Sequence, residues 1–76
     1  MRRITYLSQL APGMRARIVD IQAGYGLRRR LISLGLAPGQ EITVLQTVGR
    51  VMIVSTGSTT IALCRGMAQK ILVEVL

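Results

Sequence analysis

The tetrapeptide Leu-Ala-Pro-Gly occurs twice, at residues 10–13 and 36–39, within the longer frames LAPGMRARIV and LAPGQEITVL. Proline restricts φ and glycine tolerates positive φ, so each Pro-Gly pair centres a tight turn. A strand-like run follows each copy. Two copies are too few for a solenoid. The repeat therefore predicts two similar turns, each leading into a strand of one sheet.

Further strand-length segments come at short, regular spacing, and together the candidates are 14–22, 40–48, 51–56, 59–64 and 70–76. Ile42 and Val44 alternate with Glu41 and Thr43, the pattern of a strand with one buried face. Ile71, Val73 and Val75 alternate with Leu72 and Glu74, so the last strand is apolar on most of both faces. Gly49-Arg50 and the residues around Gly57 have the character of hairpin turns. Many short strands joined by turns predict a mostly-β domain, a small sandwich or barrel of about five strands. Residues 65–69 read as one helical turn between the last two strands. A shorter turn, 6–10, capped by Thr5, would bury Leu7 and Leu10.

One substantial helix is expected, over 27–34, inserted after the first strand. Leu27, Leu31 and Leu34 fall within about 60° of one another on it. Gly35 then suits the left-handed position after the helix, with Leu36 folding back onto Leu31 in a Schellman ending. All four leucines are assigned to the core. Because Phe and Trp are absent and only Tyr6 and Tyr25 are aromatic, Leu, Ile and Val must supply the rest of it.

The chain of 76 residues is read as one domain, 1–76. No apolar run approaches the roughly 18 residues that span a bilayer. The start MRRITYLSQL has a basic tip but no apolar h-region, so no signal peptide is expected. The single cysteine, Cys64, cannot form an internal disulfide, which fits a reducing, cytoplasmic location. In the apolar stretch TIALC it reads as a buried, inert thiol, with Arg65 beside it as the one argument for reactivity.

Ten Arg and Lys residues stand against Asp20, Glu41 and Glu74, a net charge of +7. One-to-one pairing leaves at least seven cations without an acid. Such a surface is drawn to nucleic acid, anionic lipid or an acidic protein face. On the helix, Arg28, Arg29 and Arg30 fan away from the leucine stripe, and Ile32 lands beside Arg28. The arginines are either a solvated face or a partner surface. A helix starting near Leu27 would place three cations in its first turn, where the macrodipole disfavours them and a partner's anion would be welcome.

Catalysis has little to stand on. There is no histidine, and the three acids are dispersed along the chain. A tight metal site or a nucleophilic dyad needs more Cys, His or carboxylate than this. Gly24-Tyr25-Gly26 lacks both the Walker A and the complete dinucleotide glycine patterns, and reads as a strand-to-helix turn. No catalytic residue, metal ligand or cofactor is assigned. Nucleic-acid binding stays open on charge alone, although two tyrosines make a poor stacking platform and a helix-turn-helix needs a second helix.

The segments LSQLAPGMRARIVDI, LRRRLISLGLAPGQEITVL and TTIALCRGMAQKILVEV resemble the FeoA family, ferrous-iron transport protein A, nearly end to end. The most specific part is Arg30-Leu31, Leu34-Gly35-Leu36 and Pro38-Gly39, reinforced by Ile61-Ala62-Leu63, Arg65, Ala68, Ile71 and Val73. The resemblance implies an SH3-like small β-barrel. It implies a cytosolic accessory of the ferrous-iron permease FeoB, bound to that permease's GTPase-bearing cytoplasmic region and touching the membrane only through it. Similar domains end metal-dependent repressors, which keeps a regulator-type module as the alternative. On this footing Arg28, Arg29, Arg30 and Ile32, extended by Arg50 and Arg65, are the expected partner-binding residues. A weak homo-oligomer is compatible with these readings. Whether an exposed strand edge, such as 40–48 or 70–76, accepts a partner strand is not written in the sequence.

Overall fold

The computed structural model describes residues 3–76, so the basic tip at residues 1–2 lies outside the described residues. Its elements are β1 (Arg3–Tyr6), a 3-10 turn (Leu7–Gln9), β2 (Arg15–Ile21), α1 (Tyr25–Ser33), β3 (Glu41–Val48), β4 (Val51–Ser55), β5 (Thr60–Cys64), α2 (Arg65–Ala68) and β6 (Ile71–Val75). The six strands form one antiparallel sheet in the order β1-β6-β2-β3-β4-β5. The expected five strands are present. The sixth, β1, lacks their signature because it is an edge strand whose Ile4 is exposed.

The two Leu-Ala-Pro-Gly segments fold alike. In each, the residue after glycine donates to the alanine carbonyl, Met14 to Ala11 at 3.1 Å and Gln40 to Ala37 at 3.0 Å. Gly13 and Gly39 have φ of 92° and 94°, the sign a type II turn demands at its second central residue. The turns then deliver β2 and β3 to each other as antiparallel neighbours.

That pairing has a local twofold. Every position in the first segment maps onto one 26 residues later, as Leu10 does onto Leu36. Ala16 pairs with Ile42 on the axis, and Arg15↔Thr43 mirrors Arg17↔Glu41. Gly13 donates to the Val44 carbonyl at 2.7 Å, and its counterpart Gly39 donates to Ile18 at 2.7 Å. The correspondence continues into the sheet irregularities: β2 slips register between Ile18 and Asp20, and β3 between Val44 and Gln46. Each slip sits just beyond a buried residue and leaves one apolar side chain, Val19 or Leu45, more than a third exposed. A bulge adds local twist and bends a strand, so the sheet curls on both sides of the axis around one core.

Leu10 and Leu36, Ile18 and Val44, and Ala16 and Ile42 are buried as matched pairs in that core, together with Leu7, Leu31, Leu63 and Ala68. The 3-10 turn buries Leu7 as expected, but Thr5 does not cap it; Tyr6 precedes it without a side-chain cap. Strands β3 and β6 lie inside the sheet. The edges are β1 and β5.

Candidate protein-binding groove

Helix α1 begins at Tyr25, two residues before the leucine spacing alone suggests, with Gly24 as its extended N-cap. The first intrahelical bond runs from the Arg28 N–H to the Gly24 carbonyl at 2.9 Å. The arginines therefore occupy the second turn, and the argument for an anion at the helix start falls. Arg30 in fact stands in the last turn, where a cation is favoured by the macrodipole. The helix ends as its sequence requires. Leu36 N–H donates to Leu31 and Gly35 N–H to Ile32, both at 3.0 Å, the two bonds of a Schellman motif.

The three arginines do three different things. Arg28 reaches back to β2, where its Nη1 donates to Asp20 Oδ1 and to the Ile21 carbonyl, both at 2.9 Å. That hydrogen bond, followed by a backbone hydrogen bond from Ile21, holds the Asp20 carboxyl below its usual value of 3.8. Arg28 thus ties the helix to the strand before it. Arg29 lies over the Tyr25 ring at 5.6 Å, a cation-π contact within one helical turn. Arg30 turns toward a groove.

The groove, about 250 Å³, separates the second half of α1 from β5. Arg30, Leu31 and Leu34 line it on one side and Ala62, Leu63 and Cys64 on the other, with Met67 of α2 completing the lining. Leu27 packs against the core as assigned, whereas Leu34 is a correction: it caps the helix and is 44% exposed at the groove. Its place on the leucine face is one turn too far for the sheet to cover. Cys64 is a second correction, being exposed rather than buried. It pairs with Val51, itself 40% exposed, because the stretch TIALC is apolar on both faces while only the Leu63 face meets the core.

The backbones of Arg50 and Arg65 meet just past Cys64, the last β5 residue of the lining, although neither arginine lines the groove itself. The Arg65 N–H donates to the Arg50 carbonyl at 2.7 Å, bringing the β3–β4 turn to the start of α2. Ion pairs among the described residues engage Arg15, Arg17 and Arg28 with Glu41, Glu74 and Asp20. Arg30, Arg50 and Arg65 enter none of them, and all three are exposed. Ile32, 39% exposed, stands on the Arg28 side of the helix and does not line the groove. Of the expected partner residues, the fold places Arg30 in the groove lining, joins Arg50 and Arg65 through a backbone hydrogen bond, and commits Arg28 to an internal contact. Leu34, Ala62, Cys64 and Met67 join the site unforeseen. Only the four-residue stretch 62–65, apolar thiol-bearing strand then arginine, marked it in the sequence.

Among the described residues, no three His, Cys, Asp or Glu side chains gather as a metal site would require. No helix there is long and apolar enough to cross a membrane.

The FeoA domain profile matches residues 5–75. An Fe(2+) transport protein A of Methanocaldococcus jannaschii is 39% identical over 57 residues, covering 75% of this chain and 70% of that protein. The crystal structure of an iron uptake regulatory protein, FeoA, superimposes with a TM-score of 0.90 at 33% identity, covering 97% of this chain and 100% of that one. A manganese-dependent transcriptional repressor superimposes with a TM-score of 0.88, but at 23% identity and with 44% of its length covered, a likeness of fold alone.

Proposed function

This chain belongs to the FeoA domain family, whose members serve ferrous-iron uptake, and on that premise we propose that it acts as a binding module for the cytoplasmic, GTPase-bearing region of a FeoB-type iron permease. The observation that carries this reading is the groove between α1 and β5, mostly apolar along its walls and lined by Arg30, with Arg65 following β5 directly, neither arginine having an acidic partner among the described residues. Aliphatic contacts supply affinity in such a surface, while the cations steer approach and fix orientation. The module works by binding and not by turnover, in the cytoplasm. The iron it serves is cargo of the permease.

A titration of the chain against the permease's cytosolic region at near-physiological salt tests the proposal, with duplex DNA titrated in parallel. Saturable binding to the permease region, with at most weak and salt-sensitive DNA binding, is the expected result. Binding to DNA alone would remove the accessory reading and leave the fold as the only link to the family.

A further inference from the structure

The groove runs along an unpaired strand edge, and this feature says how a partner is held. In β5, alternate side chains point to opposite faces, Ala62 and Cys64 to one and Leu63 to the other. The groove is lined by all three, residues of both faces, as a space reaching the strand's edge would be. Strand β5 is the last in the sheet order, paired on one side only, with β4.

The ladder fixes which backbone groups face the gap. Arg65 N–H donates to Arg50 at one end of the β4–β5 hairpin, and Thr56 N–H donates to Thr59 at the other. These are bonded pairs of one antiparallel register, in which Met52↔Leu63 and Val54↔Ile61 lie between them. Bonded and non-bonded pairs alternate in such a ladder. Leu63 and Ile61 therefore direct their N–H and C=O groups to β4. Ala62 directs both of its groups outward, and Cys64 its N–H. No other backbone hydrogen bond among the described residues takes up either Ala62 group. A free strand edge beside a groove of about 250 Å³ is the setting in which an added strand pairs.

We propose that the groove takes an extended peptide segment of the partner as a seventh strand, paired to Ala62, with acidic side chains alternating with aliphatic ones. The pairing supplies main-chain hydrogen bonds, and the period of two sends aliphatic side chains toward Leu31, Leu34 and Met67. The acidic requirement follows from charge. Arg30 lines the gap and Arg65 follows β5 directly, whereas Asp20 and Glu41 are held by other arginines. A basic segment would meet these cations unscreened. The inference rests on the partner reading above for the source of the segment, not for its chemistry.

Two variants and three peptide sets test it. Ala62→Pro removes an outward N–H without touching the β4 ladder, a place where an edge strand tolerates proline. Arg30→Glu reverses the charge at the groove on an exposed helical position. Twelve-residue peptides tiling the permease's cytosolic region, and synthetic peptides alternating Val or Leu with Glu, are titrated against the full chain. A matched set replaces every acid with lysine. Expected are binding of the acidic set only, amide shifts centred on Ala62 and Cys64, and at least a tenfold loss of affinity in each variant. Circular dichroism checks that Ala62→Pro still folds; if it does not, Arg30→Glu and the amide shifts decide.

If the intact permease region binds wild type and Arg30→Glu equally, the groove is not the docking site, while the accessory reading stands. Binding of the intact region with no peptide bound from any set overturns strand addition as the mode. Acidic peptides bound at Ala62 without any binding of the permease region would uphold the groove and remove that partner instead. Equal binding of acidic and lysine peptides would overturn the charge rule.

Discussion

The segments that begin at Leu10 and Leu36 share a turn, a strand, a buried bulge neighbour and an exposed bulge residue, and then part company. After its bulge, β2 carries Asp20, and the chain turns into α1, whose Arg28 returns to that carboxylate. After its bulge, β3 carries Gln46, and the chain turns back at Gly49-Arg50 into β4. One half closes on itself through an ion pair. The other ends in a hairpin whose Val48 and Val51, on either side of the Gly49-Arg50 turn, are 57% and 40% exposed. Equivalent backbones thus support opposite tasks. The shared part builds the barrel-like core, and the unshared part makes the surface.

Paired substitutions put this comparison at risk. The largest effect is expected from the twin leucines. Leu10→Ala and Leu36→Ala should each cost about 2–5 kcal/mol in urea unfolding, the range for truncating a buried leucine. Leu36→Ala should be the costlier, because Leu36 is completely buried whereas Leu10 is 5% exposed; the Schellman hydrogen bond, made by the main chain, is retained in the variant. A large loss at one leucine and none at the other would show that the symmetry is geometric but not energetic.

The turn glycines come next. Gly13→Ala and Gly39→Ala should each lose about 1–2 kcal/mol, since a Cβ disfavours the positive φ at both sites. No atom lies within 4 Å of a Cβ built at either position, so the cost is one of backbone conformation and not of space. Equal shifts in thermal midpoint would confirm that the two turns are under the same constraint.

A smaller and pH-dependent effect separates the halves. Because Asp20 is held below its usual value of 3.8, the folded state keeps its carboxylate ionised more readily than the unfolded chain does. Its contribution is complete above about pH 4 and disappears as pH falls through the depressed value. Asp20→Asn should lose stability relative to wild type at neutral pH and converge with it in acid. Gln46→Ala, at the equivalent place, should shift stability by the same amount at both pH values. A gap for Asp20→Asn that stays constant with pH would remove the ion pair as the anchor of α1.

Least affected should be Val19→Thr and Leu45→Thr at the two bulges, each within about 0.5 kcal/mol of wild type. Both side chains are more than a third exposed, at 38% and 47%. A marked loss at Leu45 alone would point to a packing role for the open hairpin.

Much of this molecule was readable along the chain. Pro-Gly pairs, period-two apolar runs and the Leu34-Gly35-Leu36 ending act over a few residues, so turns, interior strands and the helix stop appear in sequence. The helix start was less legible because Tyr25 and Gly26 are weak helix formers and Gly24 offers no capping side chain. Exposure was less legible still. Leu34 and Cys64 sit in apolar surroundings in sequence, yet each lies at the rim where sheet and helix fail to cover one another.

What the sequence determined by itself is the local chemistry: two Pro-Gly turns, strands of a mostly-β domain, a Schellman-ended helix and a surplus of cations. What tertiary structure decided is which of these meet. It set Arg28 against Asp20 across eight residues of chain. It drew Arg30 to β5, more than thirty positions away in sequence, and left β5 at the sheet edge. Local propensity depends on neighbours within about one turn of chain. Pairing and exposure depend on how the two bulged strands curl the sheet, which no single stretch of residues encodes.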